Sequence, residues 1–411
     1  MMNDEVNKKE EKTDEYVSTT LAGLEDVLAS ELHALGAENI SIGARAVYFE
    51  GDKSVLYKAN LYCRTAVKIL KPIAQFDCPD ENVLYEEIGK INWEKYMSVD
   101  DTLSIDGVVF SSHINHSKYA ALKTKDAICD QFRSKYDKRP SVDTRDPHLR
   151  LHVRISLDVC TVSLNSSGES LHKRGYRPNA EIEAPINEVL AAGLILLTGW
   201  DKISTFIDPM CGSGTFLVEA ALIAKNIPPG IFRKQFAFEK WRDFDAQLWR
   251  NIVDESYTKR QRRLNTVILG SDINPEVVEV AKQSLDNAKL GHEVKVECIP
   301  FDQFIPPTGG GTVMFNPPYG ERLNEDDVNV LYESIGNRLK LKFPGYNAWI
   351  ITSNPDAAKH IGLHPSKKIP IFNGALECRF MKFELYEGSR KMKKRNREGT
   401  EENTEEGIVK E

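Results

Sequence analysis

The sequence predicts an α/β protein in two parts: an N-terminal α+β region, then a mostly parallel sheet covered on both faces and closed by an antiparallel hairpin. Three observations predict this. From about residue 205, short apolar runs alternate with segments of helical period, as parallel strands alternate with crossover helices. The runs KKIPIFN and ALECRFMKFELY flank Gly374, and an Asn373-Gly374 turn between β runs is a strong hairpin signal. The 411 residues exceed one ordinary domain, and before residue 170 strands and helices mix without that regular alternation.

The elements follow in order. YVSTTLAGLEDVLASELHALGAENI gives a short strand and a helix with Leu24, Val27, Leu28, Leu32 and Leu35 at helical spacing, stopped at Gly36. Alternation returns in RAVYFEG, helical spacing in KSVLYKANLYCR, and a strand in RTAVKILKPIAQF. A helix over Ser117 to Tyr136 precedes the alternating strands LRLHVRISLD and VCTVSLNSSG. The polar stretch SSGESLHKRGYRPNAEIEAP reads as a linker, with Pro185 in the first turn of the helix INEVLAAGLILLTG. STFID is then strand one, TVILGSD strand two, VKVEC strand three, TVMFN strand four and NAWIITS strand five. GTFLVEAALIAK, NPEVVEVAKQSLDNAKL and Val328 to Phe343 are helices, the last with Val328, Leu331, Ile335 and Leu339 inward.

Composition is that of a globular protein with a charged N-terminus and no uninterrupted apolar run of about 18 residues, so a cytoplasmic protein is expected. The seven cysteines stand singly, without C-x-x-C spacing, which argues for reduced thiols and against a zinc site. His148 and His152 on an alternating strand read as surface residues and not as metal ligands, so no metal is expected. The net charge is −7, yet residues 111 to 180 hold thirteen basic and seven acidic residues, a local balance of +6. Tyr119, Tyr136, Tyr176 and five histidines are interleaved there, a mixture suited to phosphates and unpaired bases, or simply to a solvated face. After Tyr386, six of the eight residues from Arg390 to Arg397 are basic and the end is glutamate-rich, as in a disordered tail.

Ligands of an open parallel sheet bind outside the carboxyl ends of its strands. After strand one, DPMCGSGT offers Gly212 and Gly214 for a tight turn and close backbone approach before a helix at about Thr215. It is not a dinucleotide fingerprint, because Leu217 replaces the third glycine. Strand two ends in SDIN, where Asp272 can accept hydrogen bonds from ribose hydroxyls, although Asp272 or Asn274 could equally cap the next helix. Near strand three, PFDQF presents Asp302, an acceptor for an exocyclic adenine amine. Strand four runs into NPPYGERL, in which an amide, two rigid prolines and an aromatic ring stand at the sheet edge.

DPMCGSGT, SDIN, FD and NPPYGERL, in that order from Thr205 to Gly320, resemble the S-adenosylmethionine-dependent, Rossmann-like class I methyltransferases that act on exocyclic amines. SGESLHKRGYRPN followed by APINEVLAAGLILLTGW, with the N-terminal α+β region, resembles the THUMP-domain RNA guanine-N2 methyltransferases of bacterial large-subunit ribosomal RNA. The similarity spans about Tyr16 to Tyr386. It implies a ferredoxin-like subdomain over 16–70, a THUMP domain over 71–168, a linker over 169–184 and the methyltransferase domain over 185–387, between disordered ends 1–15 and 388–411.

The resemblance implies S-adenosylmethionine as cofactor, held by Asp208, Pro209, Cys211, Gly212, Gly214, Thr215, Asp272, Ile273, Asp302 and Asn316, with Cys211 mainly packing. Asn316, Pro317, Pro318 and Tyr319 would meet the target base. The amine is a poor nucleophile because its lone pair is delocalised into the ring. Acceptance of its two protons by the Asn316 side-chain oxygen and the Pro317 carbonyl would favour a tetrahedral nitrogen, and Tyr319 would stack on a base taken out of any helix. RNA is the expected partner, ribosomal or transfer, through Lys135, Lys138, Arg139, Lys173, Arg174 and Arg177, and a monomer is expected. Adenine-N6 methylation of DNA shares the loop, and a noncatalytic RNA-binding protein is a further alternative. Asp208 and Asp272 are 64 positions apart; the extra chain, from Asn226 to Arg263, is aromatic and basic and could face substrate or cover the sheet.

Overall fold

The structure, a computed structural model, describes residues 13–110, 112–178, 185–318 and 325–386. Its first elements are β1 (Asp14–Thr19), α1 (Glu25–Ala34), β2 (Glu38–Gly43), β3 (Ala46–Gly51), α2 (Lys53–Tyr62) and β4 (Lys68–Asp77). There follow α3 (Glu81–Lys90), β5 (Thr102–Phe110), α4 (Ser117–Tyr136), β6 (Ser141–Val142), β7 (Leu149–Ser156) and β8 (Val159–Asn165). The strands form one sheet, ordered β2-β3-β1-β4-β8-β7-β5-β6, in which β4 pairs with β1 on one side and β8 on the other. The two N-terminal regions thus share a continuous backbone ladder. Side-chain caps fix their helices: the Asp52 carboxylate accepts from Val55 N–H and that of Asp80 from Asn82 and Val83 N–H.

The second half comprises α5 (Glu188–Thr198), β9 (Thr205–Asp208), α6 (Thr215–Ala224), α7 (Ala246–Lys259), β10 (Ile268–Asp272), α8 (Pro275–Asn287) and β11 (Val294–Cys298). It ends with β12 (Gly311–Phe315), α9 (Glu325–Lys342), β13 (Tyr346–Thr352), β14 (Lys367–Asn373) and β15 (Leu376–Glu384). The sheet order is β11-β10-β9-β12-β13-β15-β14, parallel from β11 to β13 and antiparallel beyond. Strand order reverses at β9, so the crevice for a ligand opens beyond β9, β10 and β12. α6 is buried on every face, as its sequence, apolar but for Thr215 and Glu219, leads one to expect. On α9, Val328, Tyr332, Ile335 and Leu339 are buried in the core, and Leu331, expected inward, packs against it partly buried. Asn373 pairs with Leu376, so the hairpin loop is Gly374-Ala375, one residue later than expected, with Gly374 at φ +64°. Among the described residues no helix is long and apolar enough to cross a membrane.

Compactness divides the chain differently from sequence order. Of the described residues, one unit holds those up to Arg177 with Asn187–Leu197 and Lys225–Arg262, and the other holds Thr198–Ala224 and the chain from Arg263 onward. The expected single span 185–387 is therefore interrupted twice. α5 belongs to the first unit, where Leu24 packs so closely on Gly193 that a β-carbon there would lie 2.5 Å from it. The aromatic insertion belongs there too: Phe238 stacks on Tyr57 of α2 at 4.4 Å between ring centres, and Trp249 meets Phe238 edge-on. It covers the α2 core of that unit, because its rings find an apolar face there to bury. Pro185 precedes α5 instead of opening it; the helix starts at Glu188, and the Asn187 side chain accepts from the N–H groups of Val189 and Leu190. His152 is buried and not at the surface, and burial first, with the Lys68 cation, lowers its pKa to about 4, so it is neutral in the sheet.

Candidate active site

The loop from β9 to α6 is built by its two glycines, which serve different ends. Gly212 has φ +50° and Gly214 φ +77°, conformations costly for other residues. A β-carbon on Gly214 would lie 2.9 Å from that of Ala281 in α8, so this glycine permits packing between helices. A β-carbon on Gly212 would meet nothing within 4 Å, so this glycine leaves space open. Two hydrogen bonds fasten the loop to β10: the Cys211 N–H donates to Ser271 O (2.9 Å), and the Ser271 hydroxyl Oγ donates to Pro209 O (3.2 Å).

Asp272, at the end of β10, is the cross-link between the two loops. Its Oδ2 accepts from Gly212 N–H at 2.9 Å and its Oδ1 from Asn274 N–H at 3.0 Å. The helix cap is Asn274, whose side chain accepts from Glu276 N–H ahead of Pro275 in the first turn. Asp272 is thus free of capping duty, and each of its oxygens keeps a lone pair for a ligand hydroxyl. Beside it Ile273 is 71% exposed, an apolar plate at the carboxyl edge of the sheet. Asp302 is also exposed, on a loop pinned from below by Arg338 Nη2 donating to Phe304 O (2.8 Å) and Tyr346 OH donating to Pro307 O (2.7 Å). Sequence reasoning missed Arg338 and Tyr346; no local pattern marks a residue whose partner is more than 30 positions away.

Asp208 lies beneath this surface, 1% exposed, with its Oδ1 accepting from Met210 N–H at 3.3 Å. Burial pushes its carboxyl well above the usual range, and the neighbouring Asp272 charge pushes the same way. Cys211 is buried in the same loop, and burial, then the charges of Asp208 and Asp272, raise its thiol. An un-ionised thiol without a base is packing, as its sequence context suggested. Thr215 is buried at the start of α6.

Asn316 stands immediately after β12, half-buried, followed by buried Pro317 and half-buried Pro318. Its side-chain oxygen Oδ1 is buried and has no hydrogen-bond partner among the described residues. A buried carbonyl left unsatisfied costs about 1–3 kcal/mol, a cost that a ligand donor can relieve. Tyr319 lies outside the described residues.

Open space over Gly212, an acceptor carboxylate at Asp272, an apolar plate at Ile273 and an unpartnered amide oxygen at Asn316 thus converge on the crevice of one parallel sheet. Residues 174–382 match the RMKL-like methyltransferase domain, residues 78–165 the THUMP domain and residues 15–70 the RlmL ferredoxin-like domain. The chain belongs to the RMKL-like methyltransferase family. It is 39% identical over 383 residues to the ribosomal RNA large subunit methyltransferase K/L of Syntrophotalea carbinolica, covering 90% of this chain and 54% of that protein. It therefore spans about half the length of such curated relatives. It is 38% identical to slr0064 of Synechocystis, whose name as an RNA methyltransferase is provisional, over 90% of this chain and 97% of that one. A solved structure, SMU.472, provisionally a methyltransferase and complexed with SAH, superposes with a TM-score of 0.83 at 29% identity over 92% of this chain and all of that one. The cofactor of this class I methyltransferase family is S-adenosylmethionine, and the residues present have the chemistry to hold it: Asp272 would offer a carboxylate to its hydroxyls, Ile273 an exposed apolar side chain, and Gly212 open space.

Among the basic residues expected to meet RNA, the structure separates cases. Lys135 pairs with Glu94, to which Tyr136 OH also donates, and Lys138 pairs with Asp100. Lys173 pairs with Glu169 at 2.8 Å, and Arg177 with the buried Glu188 at 3.2 Å. Arg139 is exposed. Arg174 corrects the expectation outright: it is 2% exposed, and its guanidinium donates to the carbonyls of Leu171 and Arg64. It fastens the chain beyond β8 inside the first unit and does not reach solvent. Its charge suggested RNA; what decided its place is the planar fork, which suits buried carbonyls equally well.

Proposed function

We propose that this protein transfers a methyl group from S-adenosylmethionine to the exocyclic N2 amine of a guanine in large-subunit ribosomal RNA. The observation that carries the reading is the buried, unpartnered Asn316 oxygen at the carboxyl edge of β12, in the same crevice as the Gly212 and Asp272 loops. An amide oxygen in that position is an acceptor waiting for a donor pair, and an aromatic amine is one. With the Pro317 carbonyl as the second acceptor, the amine nitrogen is drawn toward a tetrahedral form and its lone pair is released from the ring. When bound, S-adenosylmethionine supplies an electrophilic methyl group on a sulfonium. Asp272 orients its ribose, Ile273 its base, and the prolines hold the amide so that orientation and electrostatics supply the rate. RNA enters through the THUMP-bearing first unit. The names of the curated relatives support ribosomal RNA over transfer RNA. Adenine-N6 methylation uses the same acceptors, and only the product tells the two apart.

The test is incubation of the purified protein and labelled S-adenosylmethionine with ribosomal RNA and transfer RNA from a strain lacking the gene, followed by nucleoside mass spectrometry. N2-methylguanosine in the large-subunit RNA is the expected product. N6-methyladenosine, or label in transfer RNA alone, transfers the reading to those substrates. No label in either RNA refutes it.

A further inference from the structure

We infer that α9 sets the gap between methyl donor and methyl acceptor: Arg338 is the positioning residue for the loop that carries Asp302, and Tyr332 for the end of β13 that runs beside Asn316. This deepens the reading above and rests on it for what Asp302 and Asn316 meet. Arg338, half-buried on α9, donates from Nη2 to Phe304 O at 2.8 Å, just past Asp302. Earlier on the same helix Tyr332 is fully buried, and its hydroxyl shares a 2.6 Å hydrogen bond with Thr352 Oγ1. Thr352 ends β13, which lies parallel to β12 with Ile350 beside Phe315, so the carboxyl end of β13 flanks the Asn316 segment. The same Thr352 Oγ1 accepts from Asn354 N–H (3.0 Å), and Asn354 Oδ1 from Ala357 N–H (2.9 Å). The Tyr332 hydroxyl thus joins a chain of bonds that shapes the turn out of β13.

Two features make α9 a fixed frame. Between Tyr332 and Arg338, Gly336 lets the helix lie against the chain at Ile361, where a β-carbon would stand 1.8 Å from the Ile361 carbonyl oxygen. The helix therefore cannot slide without moving the turn that follows β13. Just beyond its last residue, Phe343 packs on both rings of the Asp302 loop, 5.9 Å from Phe301 and 6.5 Å from Phe304 between ring centres, and Phe301 meets Phe315 edge-on at 5.1 Å. Phe301 precedes Asp302, and Phe315 precedes Asn316. The donor loop and the acceptor strand thus share one aromatic cluster that fixes their separation, while Arg338 and Tyr332 hold the orientation of each through directional hydrogen bonds. A close-packed interior passes such placements on with little slack, and transfer slows steeply when the reacting groups are misplaced.

The test uses the full chain, with S-adenosylhomocysteine in calorimetry and labelled S-adenosylmethionine on whichever ribosomal or transfer RNA the parent labels. Arg338→Met keeps the length of the side chain and removes the donor. It should weaken S-adenosylhomocysteine binding and raise KM for S-adenosylmethionine by about five- to ten-fold, with kcat within about two-fold of the parent. Arg338→Lys, which can still donate to one carbonyl, should recover most of that affinity. Tyr332→Phe keeps the ring in the core and removes the hydroxyl; it should lower kcat about ten-fold with S-adenosylhomocysteine affinity within about two-fold. Thr352→Val also frees Asn354 N–H and should lower kcat at least as far, and adding Tyr332→Phe to it should cost little more, because the shared bond is already gone. A helix that only fills the core gives no such split. Lower melting points with kcat and KM unchanged, or affinity and turnover falling together in both Arg338→Met and Tyr332→Phe, overturn the inference. A parent chain that labels neither RNA overturns the proposed function and the Tyr332 arm together, and full S-adenosylhomocysteine affinity in Arg338→Met overturns the Arg338 arm by itself.

Discussion

Replacing each loop glycine by alanine separates the fold from the ligand. At Gly212 the added carbon meets no atom within 4 Å, so the cost is the left-handed backbone at φ +50°, about 1–2 kcal/mol. At Gly214 the same backbone cost applies at φ +77°, and the carbon lies 2.9 Å from the Ala281 β-carbon and 3.3 Å from its α-carbon. Relief there requires α6 and α8 to part, and overpacking of this kind costs about 1–3 kcal/mol. Gly214→Ala should then lose roughly 2–5 kcal/mol in all. At about 2–4 °C per kcal/mol, its melting point should fall by roughly 4–20 °C, against about 2–8 °C for Gly212→Ala. Binding reverses the order. The Gly212 methyl group occupies the space left for ligand, so folded Gly212→Ala should bind S-adenosylhomocysteine at least about ten-fold more weakly, a loss of roughly 1.4 kcal/mol or more. Thermal unfolding by circular dichroism and calorimetric titration measure both quantities on the same samples. Equal melting losses, or full affinity in Gly212→Ala, would refute this division of labour.

Asn316→Ala should abolish methyl transfer while leaving S-adenosylhomocysteine affinity within a few-fold; undiminished turnover in a radiolabel assay removes its amide from catalysis. Asp208 has its pKa raised by burial and by Asp272, so the folded state binds its proton more tightly than the unfolded state. Its contribution to stability is then complete below the unfolded carboxylate range and is lost as pH rises toward the folded pKa. Asp208→Asn, which mimics the protonated form, should leave the melting point near pH 4 almost unchanged and raise it at pH 8; parallel curves for variant and parent argue against a protonated Asp208. Arg174→Ala strips the buried carbonyls of Leu171 and Arg64 of their donor, which should destabilise the protein by on the order of 3 kcal/mol in chemical denaturation. In the fraction still folded, the salt slope of RNA binding should match the parent; a shallower slope would return Arg174 to the RNA surface.

Local pattern determined much of this protein. Helical and strand periods, caps and turn residues are short-range, so α4 spans Ser117–Tyr136 as its spacing predicts, and strand-helix alternation gives the parallel sheet with its terminal hairpin. The motifs after β9 and β10 and the start of the one after β12 fall where strand order reverses, because an open parallel sheet offers its crevice at the carboxyl ends; Asp302 follows the edge strand β11. Tertiary structure decided what depends on partners distant in sequence. It made Asn274 the cap and left Asp272 to join two loops, since Gly212 reaches the carboxylate across 60 positions. It took Arg174 and His152 out of solvent, although both look like surface residues by type. It sent α5 and the aromatic insertion to the first unit, because a sequence displays an apolar or aromatic face without naming the surface that will bury it. Ion pairing decided the rest: a lysine reads the same whether a carboxylate waits across the fold or not, and only the folded chain shows that Lys135 and Lys138 are matched while Lys118 is exposed without an ion pair among the described residues.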